Sequence, residues 1–240
     1  MTKDPLYSGA MTRTSSTSAR WRRSLRFVFV IPLAAGLFLS VTPSVASPSA
    51  LPPFVVSVST VTAATLGKTW HRGCPIAPTQ LRLIHVRYVG FNGRANGGSI
   101  VVNASVARAV INVFQTLYSH RFPIHSMIPE SHFRGSDPAS MAADNTSGFN
   151  CRYAVANGTA AWSVHAYGEA IDVNPVQNPY VFNGLAQPVA GKAYLNRHDV
   201  RPGMAVVGGV LNSAFASVGW RWGGRWTDSP DFQHFSATGG

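Results

Sequence analysis

Hydrophobic and polar residues alternate along the segment LRLIHVRYVGF, from Leu81 to Phe91. A period of two residues is typical of a strand with one buried face and one wet face. The glycine-rich segment NGRANGG at residues 92–98 predicts a tight turn. The apolar run SIVVN at residues 99–103 is then the returning strand, so this region predicts a β-hairpin.

Helical periodicity replaces the alternation after this hairpin. Apolar residues recur at intervals of three and four positions, namely Val106, Val110, Val113, Phe114, Leu117 and Tyr118. They predict an amphipathic helix over residues 106–119, and a second helix is expected over 205–218 despite two internal glycines. Residues 129–150 are polar and irregular, which predicts a long loop of the kind that often carries function.

Short strands are expected in four further places, at residues 122–124, 170–173, 219–222 and 232–236. In the second of them, Ile171 and Val173 can face the core while Asp172 points to the opposite face. The mixture of strands and helices favours a single α+β domain, with a largely antiparallel sheet and flanking helices.

The N-terminal segment has the pattern of an export signal. A basic cluster at Arg20–Arg26 precedes an apolar run at Phe27–Val41, and small residues follow at Ser44–Ala46. This order predicts a cleaved signal peptide over residues 1–46 and therefore a secreted protein that acts outside the cytoplasm, at the cell wall.

Two questions about this segment stay open. An uncleaved membrane anchor is the alternative to a signal peptide, although a run of 15 residues interrupted by Pro32 is short for a membrane span. Translation could begin at Met1 or at Met11. No other contact with a membrane is expected.

Composition and charge narrow the class of protein. A hydrophobic content of 45% with 12% charged residues indicates a compact globular protein. The full chain has a net charge of +11, and without residues 1–46 it keeps 14 basic and eight acidic residues, or +6. This charge favours an anionic environment such as a cell wall. Nucleic acid is not an expected partner, because no basic run interleaved with aromatic residues follows the signal. The Pro-, Ser-, Thr- and Ala-rich residues 47–69 predict a linker, with the folded domain over residues 70–240.

The two cysteines, Cys74 and Cys151, both lie in the exported part. In an oxidising compartment they most simply form one disulfide, and closing this loop would stabilise the fold by roughly 4 kcal/mol. Free thiols or zinc ligands are the alternatives. The disulfide is favoured because neither cysteine has the closely spaced partner of a structural zinc site.

Candidate chemistry is concentrated in the segment WSVHAYGEAIDVNP, from Trp162 to Pro175. Gly168 permits a tight fold, so that His165 can return beside Asp172. A histidine and a carboxylate that converge on one point can be two ligands of a zinc ion. A catalytic zinc site needs a third protein ligand and leaves a fourth position to water.

The C-terminal segment DFQHF supplies the missing groups. His234 is the candidate third ligand, and Asp231 can accept a proton from water, whose pKa zinc lowers to about 7. The remaining histidines lack a carboxylate at ligand spacing and are predicted to be structural or exposed: His71, His85, His120, His125, His132 and His198.

The pattern S-x-H-x-x-G-x-A-x-D from Ser163 to Asp172, followed by D-x-x-H, resembles a family of zinc peptidases. This family comprises D-alanyl-D-alanine carboxypeptidases and L-alanyl-D-glutamate endopeptidases, which act on peptidoglycan stem peptides. The similarity extends to NTSGFNCR at residues 145–152, to VNPVQNPY and to GWRWGGRW, and it covers most of residues 70–240.

The resemblance implies a Hedgehog/DD-peptidase-like fold and a Zn²⁺ cofactor. It implies that His165, Asp172 and His234 are the zinc ligands and that Asp231 is the catalytic base. Family members often have Glu at the position of Asp231, whose side chain is shorter. Arg152 matches an arginine that binds the substrate carbonyl or carboxylate.

Alternative roles are open for several other side chains. Arg152 could instead be a structural ion-pair partner, for example of Asp144. Ser163 is expected to bind substrate or orient a ligand, because it lies too close to His165 in sequence to act as a nucleophile with that base. Trp162 and Tyr167 are candidate substrate-binding residues at the rim. The tryptophans at 220, 222 and 226 could line a substrate groove or pack in the core.

The sequence therefore predicts a secreted zinc metallopeptidase that hydrolyses peptide bonds in peptidoglycan stem peptides. The alternative is a non-catalytic, zinc-containing module that binds the cell wall. The sequence leaves open whether the enzyme is a carboxypeptidase or an endopeptidase, which cross-bridge it prefers, and its oligomeric state, for which a monomer is expected.

Overall fold

A three-stranded antiparallel sheet forms the first part of the fold. The computed structural model describes residues 50–155 and 159–239, so the predicted signal peptide lies outside the described residues. The strands are β1 (Val56–Thr60), β2 (Leu81–Val89) and β3 (Ala95–Asn103), in the order β1-β2-β3. The predicted hairpin is formed by β2 and β3.

The returning strand of the hairpin is longer than predicted. Ala95 already pairs with Val89, so the turn contracts to residues 90–94. Within the turn, Gly93 has φ +73°, a left-handed conformation that favours glycine. The glycine-rich composition of residues 92–98 therefore marked the turn but overstated its length.

Strand β1 lies inside the stretch 47–69 that was expected to be a linker. Its sequence VSVST alternates β-branched and small residues, and its backbone pairs with β2 over its whole length. The short helix α1 (Ala63–Leu66) follows, and Val61 and Leu66 are buried in a small core cluster. The folded part thus begins before residue 70, because Ser and Thr are compatible with a strand as well as with a spacer.

Helix α2 (Ala107–Ser119) packs its apolar side against the first sheet, as its periodicity predicted. Helix α4 (Val210–Ala216) is shorter than the predicted 205–218 and starts directly after Gly209. Two glycines before the helix leave residues 205–209 in turns rather than in the helix.

The polar stretch at residues 129–150 is not a structureless loop. It contains a 3₁₀ helix at Glu130–Phe133 and helix α3 (Asp137–Ala142). The Ser136 side chain caps α3 by accepting a hydrogen bond from Ala139 N, a local signal for a helix start.

A second antiparallel sheet carries the residues that matter for chemistry. It consists of β4 (Ala170–Asp172), β7 (Arg221–Trp222) and β8 (His234–Ser236), in the order β4-β8-β7. A separate hairpin is formed by β5 (Tyr180–Phe182) and β6 (Leu185–Gln187). The strand expected at 122–124 is reduced to a single bridge between Pro123 and Val89.

The core joins both sheets to α2 and α4. Its largest fully buried side chains include Phe114, Phe215, Phe235, Ile100 and Ile171. The mixture of antiparallel sheets and helices confirms the α+β class. Within the described part of the chain, the helices are all too short or too polar to cross a membrane.

Cys74 and Cys151 form a disulfide, as predicted. Cys151 directly precedes Arg152, so the bridge ties the segment that carries this arginine to the N-terminal part of the domain. The cross-link removes conformational entropy from the unfolded chain, which is the main stabilising effect expected of it.

Candidate metal centre and active-site pocket

The pairing of β4 with β8 brings two of the predicted ligands together. Asp172 lies directly opposite His234 in the antiparallel register. The Asp172 Oδ1 atom lies 3.2 Å from His234 Nδ1. Residues at directly opposed positions have side chains on the same face of the sheet, so two groups 62 positions apart in sequence share one site.

His165 reaches the same point from a 3₁₀ helix at Val164–Tyr167. This turn ends at Gly168, whose φ of +68° is the left-handed conformation that the sequence predicted glycine would supply. His165 Nε2 lies 3.1 Å from Asp172 Oδ2 and 3.2 Å from His234 Nδ1. All three side chains are buried.

A backbone carbonyl fixes the orientation of the His165 ring. His165 Nδ1 lies 2.7 Å from the Gly148 carbonyl oxygen, which can only accept, so Nδ1 carries the proton and donates it. The lone pair is therefore on Nε2, the atom that faces Asp172 and His234. Metal-binding histidines usually donate a hydrogen bond of this kind from the ring nitrogen that does not bind the metal.

The donor set fits a zinc ion. Two imidazole nitrogens and one carboxylate are common zinc ligands, with bond lengths of about 2.0–2.2 Å. Ligand atoms in a tetrahedral arrangement at that distance are about 3.3 Å apart. The separations of 3.1–3.2 Å among the three side chains are close to this value.

The electrostatics of the cluster favour an ionised carboxylate. Burial alone would raise the pKa of Asp172, but the charges and hydrogen bonds of His165 and His234 hold that pKa well below its usual range. Asp172 is thus ready to bind a cation without first losing a proton.

Asp231 lies in the same pocket, which has a volume of about 140 Å³ and is also lined by Arg152. The buried Oδ1 atom of Asp231 has no hydrogen-bond partner among the described residues. Burial and the negative charge of Asp172 raise the pKa of Asp231 to about 7, while His234 and Arg152 act in the opposite direction. A cation held by the neighbouring cluster would lower this pKa again.

Arg152 faces the pocket and is held by an acid that the sequence analysis did not identify. Its Nη2 atom lies 3.1 Å from Asp137 Oδ1, at the start of α3. The suggested partner Asp144 instead accepts a hydrogen bond from Val176 N. The ion pair with Asp137 leaves Arg152 Nε buried and without a protein partner. An ion-pair role and a substrate-binding role are therefore compatible.

The predicted rim residues separate into two groups. Trp162 and Ser163 line the pocket, and the Ser163 hydroxyl accepts a hydrogen bond from His165 N at 3.3 Å. Ser163 therefore supports the turn that carries His165. Tyr167 is exposed and is not among the described residues that line the pocket.

Three groups at the site were missed by the sequence analysis. Asp137 positions Arg152, and the Gly148 carbonyl orients His165. Gln233 is 2% exposed and lines the pocket; its Nε2 reaches only the Met141 sulfur, and its Oε1 has no partner. Gly148 lies inside the quoted NTSGFNCR segment and Gln233 inside DFQHF, whereas no sequence signal pointed to Asp137.

Replacement of Gly148 by alanine is expected to disturb this centre. A Cβ atom at Gly148 would lie 2.4 Å from the Val101 carbonyl oxygen, so the segment that orients His165 must move. We expect Gly148→Ala to lower the free energy of unfolding by about 1–3 kcal/mol, as overpacking does, and to weaken metal binding. Chemical denaturation and zinc titration measure the two effects.

Gly97→Ala is the matched control, because Gly97 has no atom within 4 Å of its Cβ position. Its unfolding free energy should change by about 0.5 kcal/mol or less. Equal stability losses in both variants would contradict the role given to the close contact at Gly148.

Glu130 is a second buried acid close to the site. It is 3% exposed, and neither carboxylate oxygen has a hydrogen-bond partner of good geometry. Burial, with the negative charges of Asp137 and Asp172, raises the pKa of Glu130 to about 7, although nearby Ser140 and Ser147 act against this. Glu130 therefore contributes a pH-dependent term to stability.

Because the pKa of Glu130 is raised in the folded state, the stability of the protein falls as the pH rises. In the unfolded chain Glu130 ionises near pH 4.5, so the folded state holds the extra proton between about pH 4.5 and 7 and loses stability as the pH rises. At pH 8 the cost reaches about 3 kcal/mol. The stability of Glu130→Gln relative to the wild type should therefore increase from pH 4.5 to pH 8, by up to about 3 kcal/mol.

Urea denaturation of the metal-free protein at the two pH values measures this difference. Glu169→Gln, the substitution of the other glutamate in the chain, serves as the control. The prediction is wrong if Glu130→Gln and the wild type differ in stability by the same amount at both pH values. That result would show that Glu130 does not titrate between them.

One other group of potential metal ligands occurs among the described residues, formed by His71, Cys74 and Cys151. Both thiols are consumed by the disulfide. The buried His165, Asp172 and His234 cluster is therefore the better candidate metal centre.

A buried triangle of two histidines and one aspartate lies beside a carboxyl group whose Oδ1 has no partner among the described residues. This arrangement suits a hydrolytic zinc site. The sequence model of the D-alanyl-D-alanine carboxypeptidase family matches residues 156–237. This match confirms the resemblance to that zinc peptidase family over the segment that carries all three converging residues and Asp231. No curated protein and no solved structure matches the chain.

Proposed function

We propose that this protein is a zinc-dependent metallopeptidase that hydrolyses peptide bonds in peptidoglycan stem peptides. The observation that carries the proposal is the convergence of His165 Nε2, Asp172 and His234 Nδ1 within 3.2 Å of one another, in a pocket that also contains Asp231. The family match over residues 156–237 supports the same class of reaction.

His165, Asp172 and His234 would hold the metal. When bound, zinc polarises a carbonyl group and lowers the pKa of water. Gly148 keeps the His165 ring in the required tautomer, and the short turn from Asp231 to His234 keeps the base beside the ligands.

Asp231 is assigned the proton transfers. Its carboxylate takes a proton from the attacking water and delivers that proton to the departing amine. One carboxyl group can perform both steps because it holds the proton between them, and a cation at the neighbouring ligands would favour its ionised form at the start.

Arg152 and Gln233 are assigned to substrate binding. The Arg152 guanidinium can donate to a substrate carbonyl or carboxylate, and Asp137 limits its rotation. The buried Oε1 atom of Gln233 can accept a substrate N–H, which would satisfy an otherwise unpaired group. Trp162 and Ser163 complete this wall of the pocket.

The export of the protein is also part of the proposal. Residues 1–46 are assigned as a signal peptide, and the net charge of +6 that remains would retain the protein at an anionic wall. N-terminal sequencing of protein from the culture medium tests the assignment. A start at residue 47 is expected, and a retained N-terminus in the membrane fraction would contradict it.

A chelation experiment tests the activity. Purified protein is treated with EDTA, reloaded with zinc and incubated with a stem pentapeptide that ends in D-alanyl-D-alanine. Hydrolysis should disappear on chelation and return with zinc, while EDTA saturated with zinc beforehand should have no effect. Mass spectrometry of the products distinguishes removal of the last residue from an internal cut. Absence of any cleavage by the zinc-loaded protein would refute the proposal.

A further inference from the structure

A second pocket adjoins the candidate metal centre. It has a volume of about 600 Å³, within the range of roughly 300–1,000 Å³ that is typical of small-molecule sites. It lies between α4 and the strands β7 and β8. Trp226 lines both pockets, and its ring centroid lies 5.3 Å from that of His234. The two pockets are therefore neighbours that share one indole ring.

The lining of this second pocket combines aromatic surface with arginine. Trp220, Trp222 and Trp226 all contribute, and Arg221 and Arg225 are exposed at its walls. Neither arginine forms an ion pair with another residue in the part of the chain that the structure describes, and the described lining residues include no acid. The guanidinium groups are free to donate to a ligand.

Local packing holds Trp222 in place. Trp222 Nε1 donates to the Phe232 carbonyl oxygen at 2.9 Å, and Gly224 lies so close to the Trp222 ring that a Cβ atom would be 2.3 Å from it. Rigid aromatic rings beside arginine side chains are typical of binding surfaces, because they offer contact area at low entropic cost.

We infer that this pocket binds the glycan strand that carries the stem peptide, through its N-acetylated amino sugars. The inference rests on the proposed function, because the peptide substrate is attached to that polymer. A pyranose ring has an apolar face that can lie on an indole ring, and hydroxyl and acetamido groups at its edge that can accept hydrogen bonds from guanidinium groups.

Two variants probe the pocket while leaving the metal centre intact. Arg225→Ala removes a donor from the wall. Ala216→Trp, at the exposed C-terminal end of α4, places a bulky ring in the pocket. Arg108→Ala, an exposed arginine on α2 outside the pocket, is the matched control. Trp226 is kept, because its contact with His234 would mix the two sites.

The probe for binding is a β-1,4-linked tetramer of N-acetylglucosamine, titrated into the zinc-loaded protein by calorimetry. Wild type and Arg108→Ala should bind alike, and each pocket variant should raise the Kd by about tenfold or more. No binding by the wild type at millimolar sugar, or equal Kd values in all four proteins, would overturn the inference.

A cleavage assay separates this inference from the proposed activity. The pocket variants should lose about tenfold in kcat/KM for a disaccharide-linked stem peptide and keep wild-type kcat/KM for the free peptide. Equal losses on both substrates would count against a glycan site. If the wild type cleaves neither substrate, the peptidase proposal fails, and the titration by itself decides whether the pocket binds glycan.

Discussion

His165→Ala is expected to remove zinc from the protein. Wild-type protein should contain about one zinc ion per chain by mass spectrometry, the stoichiometry of a single mononuclear site. Loss of one of three protein ligands should weaken zinc binding by more than the 10- to 100-fold that is typical when only an outer hydrogen bond is lost. The substitution also removes the hydrogen bond from the His165 ring to the Gly148 carbonyl oxygen.

His198→Ala is the matched control, because His198 is exposed and lies outside both groups of potential ligands. It should retain zinc. A thermal melt gives a second readout: zinc should raise the Tm of wild type and of His198→Ala, because binding to the folded state alone stabilises it, and should leave the Tm of His165→Ala unchanged. A wild-type protein without zinc, even after reconstitution, would rule out the metal centre.

Asp231→Asn is expected to abolish most of the hydrolysis and to leave zinc binding intact. The amide has nearly the same shape as the carboxyl group but cannot accept a proton from water. Removing a general base typically costs a factor of about 10²–10⁴ in rate. The expected result is therefore a kcat lower by at least about 100-fold, with a zinc content equal to that of the wild type.

The comparison with Asp228→Asn sharpens this test, since Asp228 is an exposed acid three positions earlier in the chain. That variant should keep wild-type kcat. Asp231→Asn also separates the peptidase from the alternative of a non-catalytic wall-binding module. A zinc-loaded wild type that binds the cell wall but hydrolyses no peptide, with an Asp231→Asn variant that behaves identically, would favour the module.

Local sequence patterns predicted the hairpin and the first long helix well. The alternation in Leu81–Phe91 and the three-and-four spacing over 106–119 each reflect contacts within one element, so they are legible without the rest of the fold. The predictions were wrong for elements that lack such a pattern. Strand β1 was taken for a linker because its burial is shallow and its pairing with β2 is a tertiary contact.

At the site, too, local contacts could be predicted from the sequence and long-range contacts could not. The HAYGEAID segment was sufficient to expect His165 beside Asp172, because Gly168 acts locally on the turn between them. Asp137 and Glu130 could not be assigned in this way. Their proximity to Arg152 and Asp172 depends on how residues 129–150 fold back over the site, and no period or spacing in the sequence encodes that path.

The sequence by itself determined the α+β class and the disulfide partners, and it predicted an export signal and the residues that would bind zinc. Only the tertiary structure decided that Asp172 and His234 face one another across β4 and β8, that the Gly148 carbonyl selects the His165 tautomer, and that a tryptophan-lined pocket adjoins the centre. The physical reason is that ligand chemistry belongs to individual side chains, whereas their convergence depends on strand register and packing between segments far apart in the chain.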